Sequence, residues 1–430
     1  MIFVWMELPR GMKDFEKSES SKIEYVRQKF IQTCKIFGYE LMEPSPIELL
    51  SVLEAKSGSS IKDEIYYFKD KGDREIALRF DFTVGLTRYA TSQQSMKLPA
   101  KLASFGGVWR YDEPQKGRYR FFHQWDIEIF GKASLEADAE IIEFTSQFFS
   151  ELGLADNIVI DISHRKLVES YINKIFSSND PSLVTDILRA IDKITKKPKV
   201  EILKEYQEKG YKKDNLEDIL KFSELKGNVE EIEQKIRVNE LDGWNELKDI
   251  YNSLKNRNVN NIRINFGIVR GLDYYSGMVF EAFDSSLDIG SLVGGGRYDS
   301  LPAAFGRTDL AATGVAGGVE RIVLSLENQN LPKDLSDSRI SVLYTGDEMQ
   351  HNAITLASNM RQRGLLVDVD LVGKPLKKQM ELAANSKFAV IVGPKEYADG
   401  NVVLRNMIDR TEKTISIKEL IEEDSIHDLS

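Results

Sequence analysis

The stretch that most restricts the possible folds is FFHQWDIEIFG, residues 121–131. Gln124, Asp126 and Glu128 share one parity, while Trp125, Ile127 and Ile129 share the other. Side chains in a strand alternate faces with a period of two. The stretch therefore predicts a strand with an amide and two carboxylates on one face and apolar bulk on the other. Such a strand suits an antiparallel sheet whose core lies on one side. The polar face is either solvated or the wall of a pocket. Immediately upstream, RYDEPQKGRYR places arginines around a turn.

The rest of the chain builds a fold around that strand. At 430 residues it is too long for one ordinary core, so two or three domains are expected. Residues 1–163 mix amphipathic helices with strands. Residues 164–258 are charged and helical in period, with almost no strand signal, and read as a helical insertion. Strand patterns return over residues 259–332. NNIRINFGIVR alternates Ile262, Ile264, Phe266 and Ile268 with polar or small residues, and GMVFEAF follows as another strand. VGGGRYDSL reads as a glycine-rich turn, and ATGVAGGVERIVLSLEN as a strand running into a helix. Beyond Leu331-Pro332, residues 335–430 alternate strand and helix as a small parallel or mixed α/β domain does.

Composition narrows the function. The net charge of −10 argues against general coating of nucleic acid, which needs many cations, but leaves room for a local basic patch. Cys34 is the lone cysteine, so neither a disulfide framework nor a cysteine zinc site is expected. It shares a helical stripe with Ile23, Val26, Phe30 and Phe37, which predicts a buried structural thiol. His123, His164, His351 and His427 do not pair at metal-ligand spacing. The N-terminus lacks a basic leader, and no apolar run approaches the roughly 20 residues that span a bilayer, so a cytoplasmic protein without membrane contact is expected.

A P-loop, a dinucleotide fingerprint and a nucleophile elbow are all missing. What stands out is a set of arginines at element ends: Arg110, Arg270 and Arg321. Each could be a surface ion pair. Arginine is also the residue suited to holding phosphate in a dry site. Asp81 and Thr83 could merely cap a helix, and Tyr274 and Tyr275 could be core aromatics. Residue chemistry alone reaches a nucleotide-using enzyme with a polar pocket on an antiparallel sheet.

Several motifs carry a resemblance. RYDEPQKGRYRFFHQ resembles motif 2 of the class II aminoacyl-tRNA synthetases, in the form found in histidyl-tRNA synthetases. RGLDYYSGMVFE and LVGGGRYDSL resemble the two signatures of that family, and GVAGGVERIVLSL its motif 3. LPRGMKDF and DEIYYFKDKGDREIALRFDFT are also similar to family segments. The resemblance implies an α+β catalytic core on an antiparallel sheet flanked by helices, a helical insertion, and a C-terminal α/β domain that reads the anticodon. It implies histidine activation by ATP with magnesium on the phosphates and no zinc. Transfer to the terminal adenosine of tRNA(His) follows, within a homodimer. By the same resemblance Arg110 and Arg270 are catalytic, on the α-phosphate. Arg321 holds the γ-phosphate, Asp112 and Arg118 contact ATP, and Phe122 lies under the adenine. Asp81 and Thr83 bind the histidine ammonium. Gln124, Glu128, Tyr274 and Tyr275 complete the histidine pocket, and Gln115 reaches the tRNA acceptor end.

Three departures stand beside it. Asp81 is shorter than the glutamate the family can carry. Ser45, between Pro44 and Pro46, stands where motif 1 has its proline. Asp126 has no direct role and is expected to support its neighbours. The alternative reading is a non-catalytic, histidine-binding regulatory paralogue of the first enzyme of histidine biosynthesis. Such paralogues lack the anticodon domain and have eroded arginines, whereas both features are present here. A synthetase for another amino acid is opposed by RGLDYY, and a plain RNA-binding scaffold by the three arginines.

Overall fold

The computed structural model describes residues 7–57, 59–111, 113, 119–195, 197–269, 275–332 and 339–421. The chain forms two compact units, Met1–Pro332 and Lys333–Ser430.

The first unit is organised by a nine-stranded sheet. Its order is Glu40–Leu41, Ala100–Trp109, Phe121–Gly131, Ala311–Gly318, Val293–Arg297, Met278–Asp284, Ile158–His164, Ile262–Asn265 and Lys226–Gly227. The central pairings are antiparallel, as the alternating pattern predicts. Glu40–Leu41 instead joins Ala100–Trp109 in parallel, and Ile262–Asn265 joins Ile158–His164 in parallel, while Lys226–Gly227 pairs antiparallel at the edge. The apolar parity of Phe121–Gly131 is sealed by helices. Trp125 packs at 5.0–6.1 Å between ring centroids against Phe30, Phe144 and Phe148. Phe30 comes from the helix Lys17–Phe37, the other two from Leu135–Glu151. Lys17–Phe37 ends where Gly38 adopts a left-handed φ of 74° and its N–H caps the last carbonyls. Cys34 lies fully buried on that helix, and burial pushes its thiol up, which makes it inert.

Two local expectations change. VGGGR is a central strand, Val293–Arg297, and not a turn. Glycine runs favour turns by backbone freedom, but within a sheet they also mark close approach. A Cβ on Gly295 would lie 2.5 Å from the Gly314 carbonyl oxygen and 2.8 Å from Val315 Cβ. The strand beginning at Ile262 stops at Asn265 and does not reach Ile268. There the Asn265 side chain accepts the Gly267 N–H at 3.0 Å and turns the chain, while Phe266 and Ile268 stay buried.

Helices fill most of the segment between Arg165 and Asn256, and their apolar faces join the same hydrophobic core as the sheet. A small sheet of Ile47–Leu49, Glu75–Leu78 and Tyr67–Lys69 stands apart from the main one. The second unit has its own core and a mixed five-stranded sheet. Its order is Val367–Val369, Ile340–Tyr344, Phe388–Val392, Asn401–Asn406 and Glu412–Ser416. The first three strands are parallel and the last two pairings antiparallel.

Candidate active site

The polar parity of Phe121–Gly131 is not solvated. Gln124, Asp126 and Glu128 are at most 2% exposed. Gln124 and Glu128, but not Asp126, line a cavity together with Asp81, Thr83, Arg110, Tyr275, Tyr298, Gly294, Gly314, Val315 and Ala316. Six of the residues named from sequence therefore converge: Asp81, Thr83, Arg110, Gln124, Glu128 and Tyr275. The expectations for Asp112, Gln115, Arg118, Arg270 and Tyr274 lie outside the described residues.

Small residues create the space. Across the sheet, Asp126 pairs with Ala316, Ala316 with Gly294, and Gly294 with Glu281. Directly opposite bulky Glu128 stands Gly314, where a Cβ would come within 1.5 Å of Glu128 Oε2. The carboxylate thus occupies room that only a glycine leaves free.

Arg110 follows the strand Ala100–Trp109. It is no surface ion pair. Its Nε donates to the Phe80 carbonyl at 3.0 Å and its Nη2 to Gln124 Oε1 at 3.2 Å. The guanidinium also lies 5.1 Å from the Phe122 ring centroid. These contacts aim a permanent cation at the cavity mouth. Asp81 and Thr83 open the helix Thr83–Ser92, where a positive helix end favours negative charge. The capping reading has some substance, since Val84 N–H reaches Asp81 Oδ1, but at 3.4 Å the bond is long. Both side chains line the cavity as well.

Tyr298, which was not singled out from the sequence, donates its hydroxyl to Glu128 Oε2. Tyr275 adds a second phenol. Burial, reinforced by Glu128, pushes it well above its usual value, so it stays protonated as a donor. Glu320 was also missed. It accepts the His123 N–H at 2.8 Å and bonds His123 Nδ1 at 2.9 Å, fixing the strand to the helix Val319–Asn328. Next to it, Arg321 Nη1 donates to the Ser291 carbonyl at 2.6 Å. The position of Tyr298 in GGGRYD was visible, but its partner was not, because strand register is a tertiary fact.

The cavity holds about 100 Å³, too little for a nucleotide, and neither Phe122 nor Arg321 lines it. A larger cavity of about 580 Å³ opens on the same sheet face, walled by Asp161, Arg263, Glu281 and insertion residues. Its principal charges already compensate each other: Arg263 holds Asp161 through two bonds of 2.7 and 2.9 Å. Among the described residues no group of three or more His, Cys, Asp or Glu side chains is arranged to hold a metal ion.

Comparisons with known proteins bear on the family and the fold. Residues 11–322 match the family model described as histidyl-tRNA synthetase, and residues 339–423 match one described as an anticodon binding domain. A histidine–tRNA ligase of Pyrococcus furiosus is 32% identical over 97% of this chain and 98% of its own length. One from Sulfurisphaera tokodaii is 34% identical over 96% and 97%. The crystal structure of the histidyl-tRNA synthetase of Nostoc sp. PCC 7120 has the same fold, with a TM-score of 0.82 at 24% identity, covering 98% of this chain and 99% of that one. With a family model spanning most of the first unit and relatives aligned end to end, this chain belongs to the histidyl-tRNA synthetase family.

Proposed function

We propose that this chain activates L-histidine with ATP, forming histidyl-adenylate and pyrophosphate, and then transfers histidine to the 3′-terminal adenosine of tRNA(His). The observation that carries the reading is the convergence of Asp81, Thr83, Arg110, Gln124, Glu128 and Tyr275 on one cavity. ATP enters as its magnesium complex. A histidine carboxylate oxygen attacks the α-phosphorus, and the bond to the β-phosphate oxygen breaks. Pyrophosphate leaves with the electron pair. Such a reaction needs positioning and charge neutralisation more than a strong base. Arg110, held by Phe80 and Gln124, presents its charge without reorganisation. Arg270 supplies a second cation at the α-phosphate, and Arg321 holds the γ-phosphate. Asp112 and Arg118 contact ATP, with Phe122 under the adenine. In the second step the terminal ribose hydroxyl attacks the histidyl carbonyl and AMP departs.

A neutral imidazole carries one N–H donor and one acceptor nitrogen. Glu128 accepts the former, and Tyr275 and Tyr274 are assigned to the same pocket, with the protonated Tyr275 phenol available as a donor to the latter. An amino acid lacking either feature leaves buried groups unpaired, a mismatch that can reach about 10⁴ in selectivity.

The labour divides along the chain. Residues 1–163 and 259–332 form the catalytic core, 164–258 an insertion, and 335–430 the anticodon-reading domain, while Gln115 approaches the acceptor end of the tRNA. The working form is a cytoplasmic homodimer. Its support is an exposed apolar face on the small sheet, where Leu49, Ile76 and Phe68 stand in register beside Ile47 and Leu78. Leu49 and Phe68 are 49% and 46% exposed, an unusual display for a monomer. Among the described residues no helix is long and apolar enough to cross a membrane.

Amino-acid-dependent ATP–pyrophosphate exchange without tRNA tests the proposal. Histidine alone should support exchange. A folded protein that binds histidine yet exchanges with no amino acid would be a binding subunit instead.

A further inference from the structure

Asp126 is the buried carboxylate that the proposed chemistry leaves without a task. It sits between Gln124 and Glu128 on the polar face, yet it is fully buried and does not line the cavity as they do. Its Oδ1 accepts from Gln124 Nε2 at 2.7 Å, and its Oδ2 from the Thr83 hydroxyl at 3.3 Å. Of its cross-strand neighbours, Ala316 is apolar, and the Ser104 hydroxyl donates to the Met42 carbonyl at 2.6 Å.

Donor and acceptor inventory then decides the polarity of the site. A carboxylate only accepts and a guanidinium only donates. Gln124 bridges the two, so its nitrogen must face Asp126 and its oxygen must face Arg110. Thr83 likewise spends its one O–H on Asp126, which leaves its oxygen lone pairs for other partners. Gln124 and Thr83 therefore offer oxygen lone pairs to the cavity, alongside the Asp81 carboxylate. Three acceptors match the three N–H donors of an ammonium group.

We infer that Asp126 is a positioning residue that sets the donor–acceptor polarity of Gln124 and Thr83, and so makes this end of the cavity selective for a protonated α-amino group. The inference deepens the proposed histidine pocket and rests on it. In Asp126→Asn the shape is kept, but one oxygen becomes an NH₂. That group must point at Gln124 or at Thr83, and whichever it meets has to reverse and present a proton to the cavity. An ammonium then faces a donor.

The test compares L-histidine with 3-(imidazol-4-yl)propanoate, which lacks the α-amino group, by titration calorimetry on the full-length protein. Asp126→Asn should weaken histidine by about tenfold or more, the scale of one hydrogen bond to a charged group. The propanoate should change by less than about threefold, because its imidazole and carboxylate contacts remain. A merely structural role would weaken both ligands alike, and that result overturns the inference, as does unchanged histidine binding. Should Asp126→Asn not fold, Thr83→Val removes the hydroxyl at constant shape and must show the same selective loss; parallel loss of both ligands again overturns it. The underlying pocket is judged separately. If the unmodified protein binds histidine no better than the propanoate, the ammonium site itself fails. If it discriminates and Asp126→Asn discriminates equally, only the role of Asp126 fails.

Discussion

At the scale of single residues the site is a matter of which atoms leave room and which hold a proton. Glu128 depends on Gly314 for space and on Tyr298 for a donor. Gly314→Ala would drive a Cβ into the carboxylate. Pyrophosphate exchange with histidine should fall by roughly 100-fold or more, since a displaced contact at a reacting site is costly. Circular dichroism should remain native. Tyr298→Phe keeps the ring and removes the hydrogen bond. The KM for histidine in the exchange assay should rise by about tenfold, with a smaller change in the KM for ATP. The sequence pointed to Glu128 through parity. It said nothing of Gly314 or Tyr298 as its partners, because a residue's parity names its face but not the residue across the ladder.

At the scale of elements, buried charges pin the polar strands to the helices around them. Arg297, at the end of Val293–Arg297, donates to Asp138 of Leu135–Glu151 at 2.8 and 3.1 Å and to the Ser134 carbonyl at 2.8 Å. Burial pushes Asp138 up to about 6 against the pull of Arg297. Asp138→Ala would strand a buried guanidinium and should cost about 3–5 kcal/mol in urea unfolding. A second junction joins the strand Ile158–His164 to the helix Trp244–Asn256, where His164 Nε2 lies 3.2 Å from Glu246. Burial lowers His164 from 6.5 to about 4, although Glu246 pulls it upward. The folded state thus refuses a proton that the unfolded chain accepts. This contribution to stability is present above pH 6.5 and is lost as pH falls toward 4. His164→Gln should remove it. Urea midpoints between pH 7.5 and 5 should then fall less steeply than in the unmodified protein, by up to about 1.4 kcal/mol per pH unit. Element types were largely legible: the strand 121–131 and the helix carrying Cys34 follow from period alone. VGGGR was not, because glycine's turn preference is local while the crowding that requires it comes from neighbouring strands.

At the scale of the whole molecule, the exposed rows of the small sheet carry the prediction. Phe68→Glu places a charge at the centre of the Leu49, Ile76 and Phe68 row. Sedimentation should shift from dimer toward monomer, with the far-ultraviolet spectrum unchanged, because an unpaired charge at an apolar interface costs several kcal/mol. A monomeric unmodified protein at micromolar concentration would refute the assignment of that face. By itself the sequence determined the periods of its strongly patterned segments, such as the strand 121–131 and the helix carrying Cys34, which parity of that strand is polar, and that a second α/β pattern follows Leu331-Pro332. These properties are local, since they depend on residues within a turn or two of one another. Only the tertiary structure decided that Asp126 and Glu128 are buried and not solvated, that Gly314 faces Glu128, and that Thr83, Gln124 and Arg110 share one hydrogen-bonded chain. Those facts depend on register and on segments far apart in the chain meeting in space, such as Gly314 with Glu128 and Thr83 with Asp126, where burial turns a polar row into a binding site.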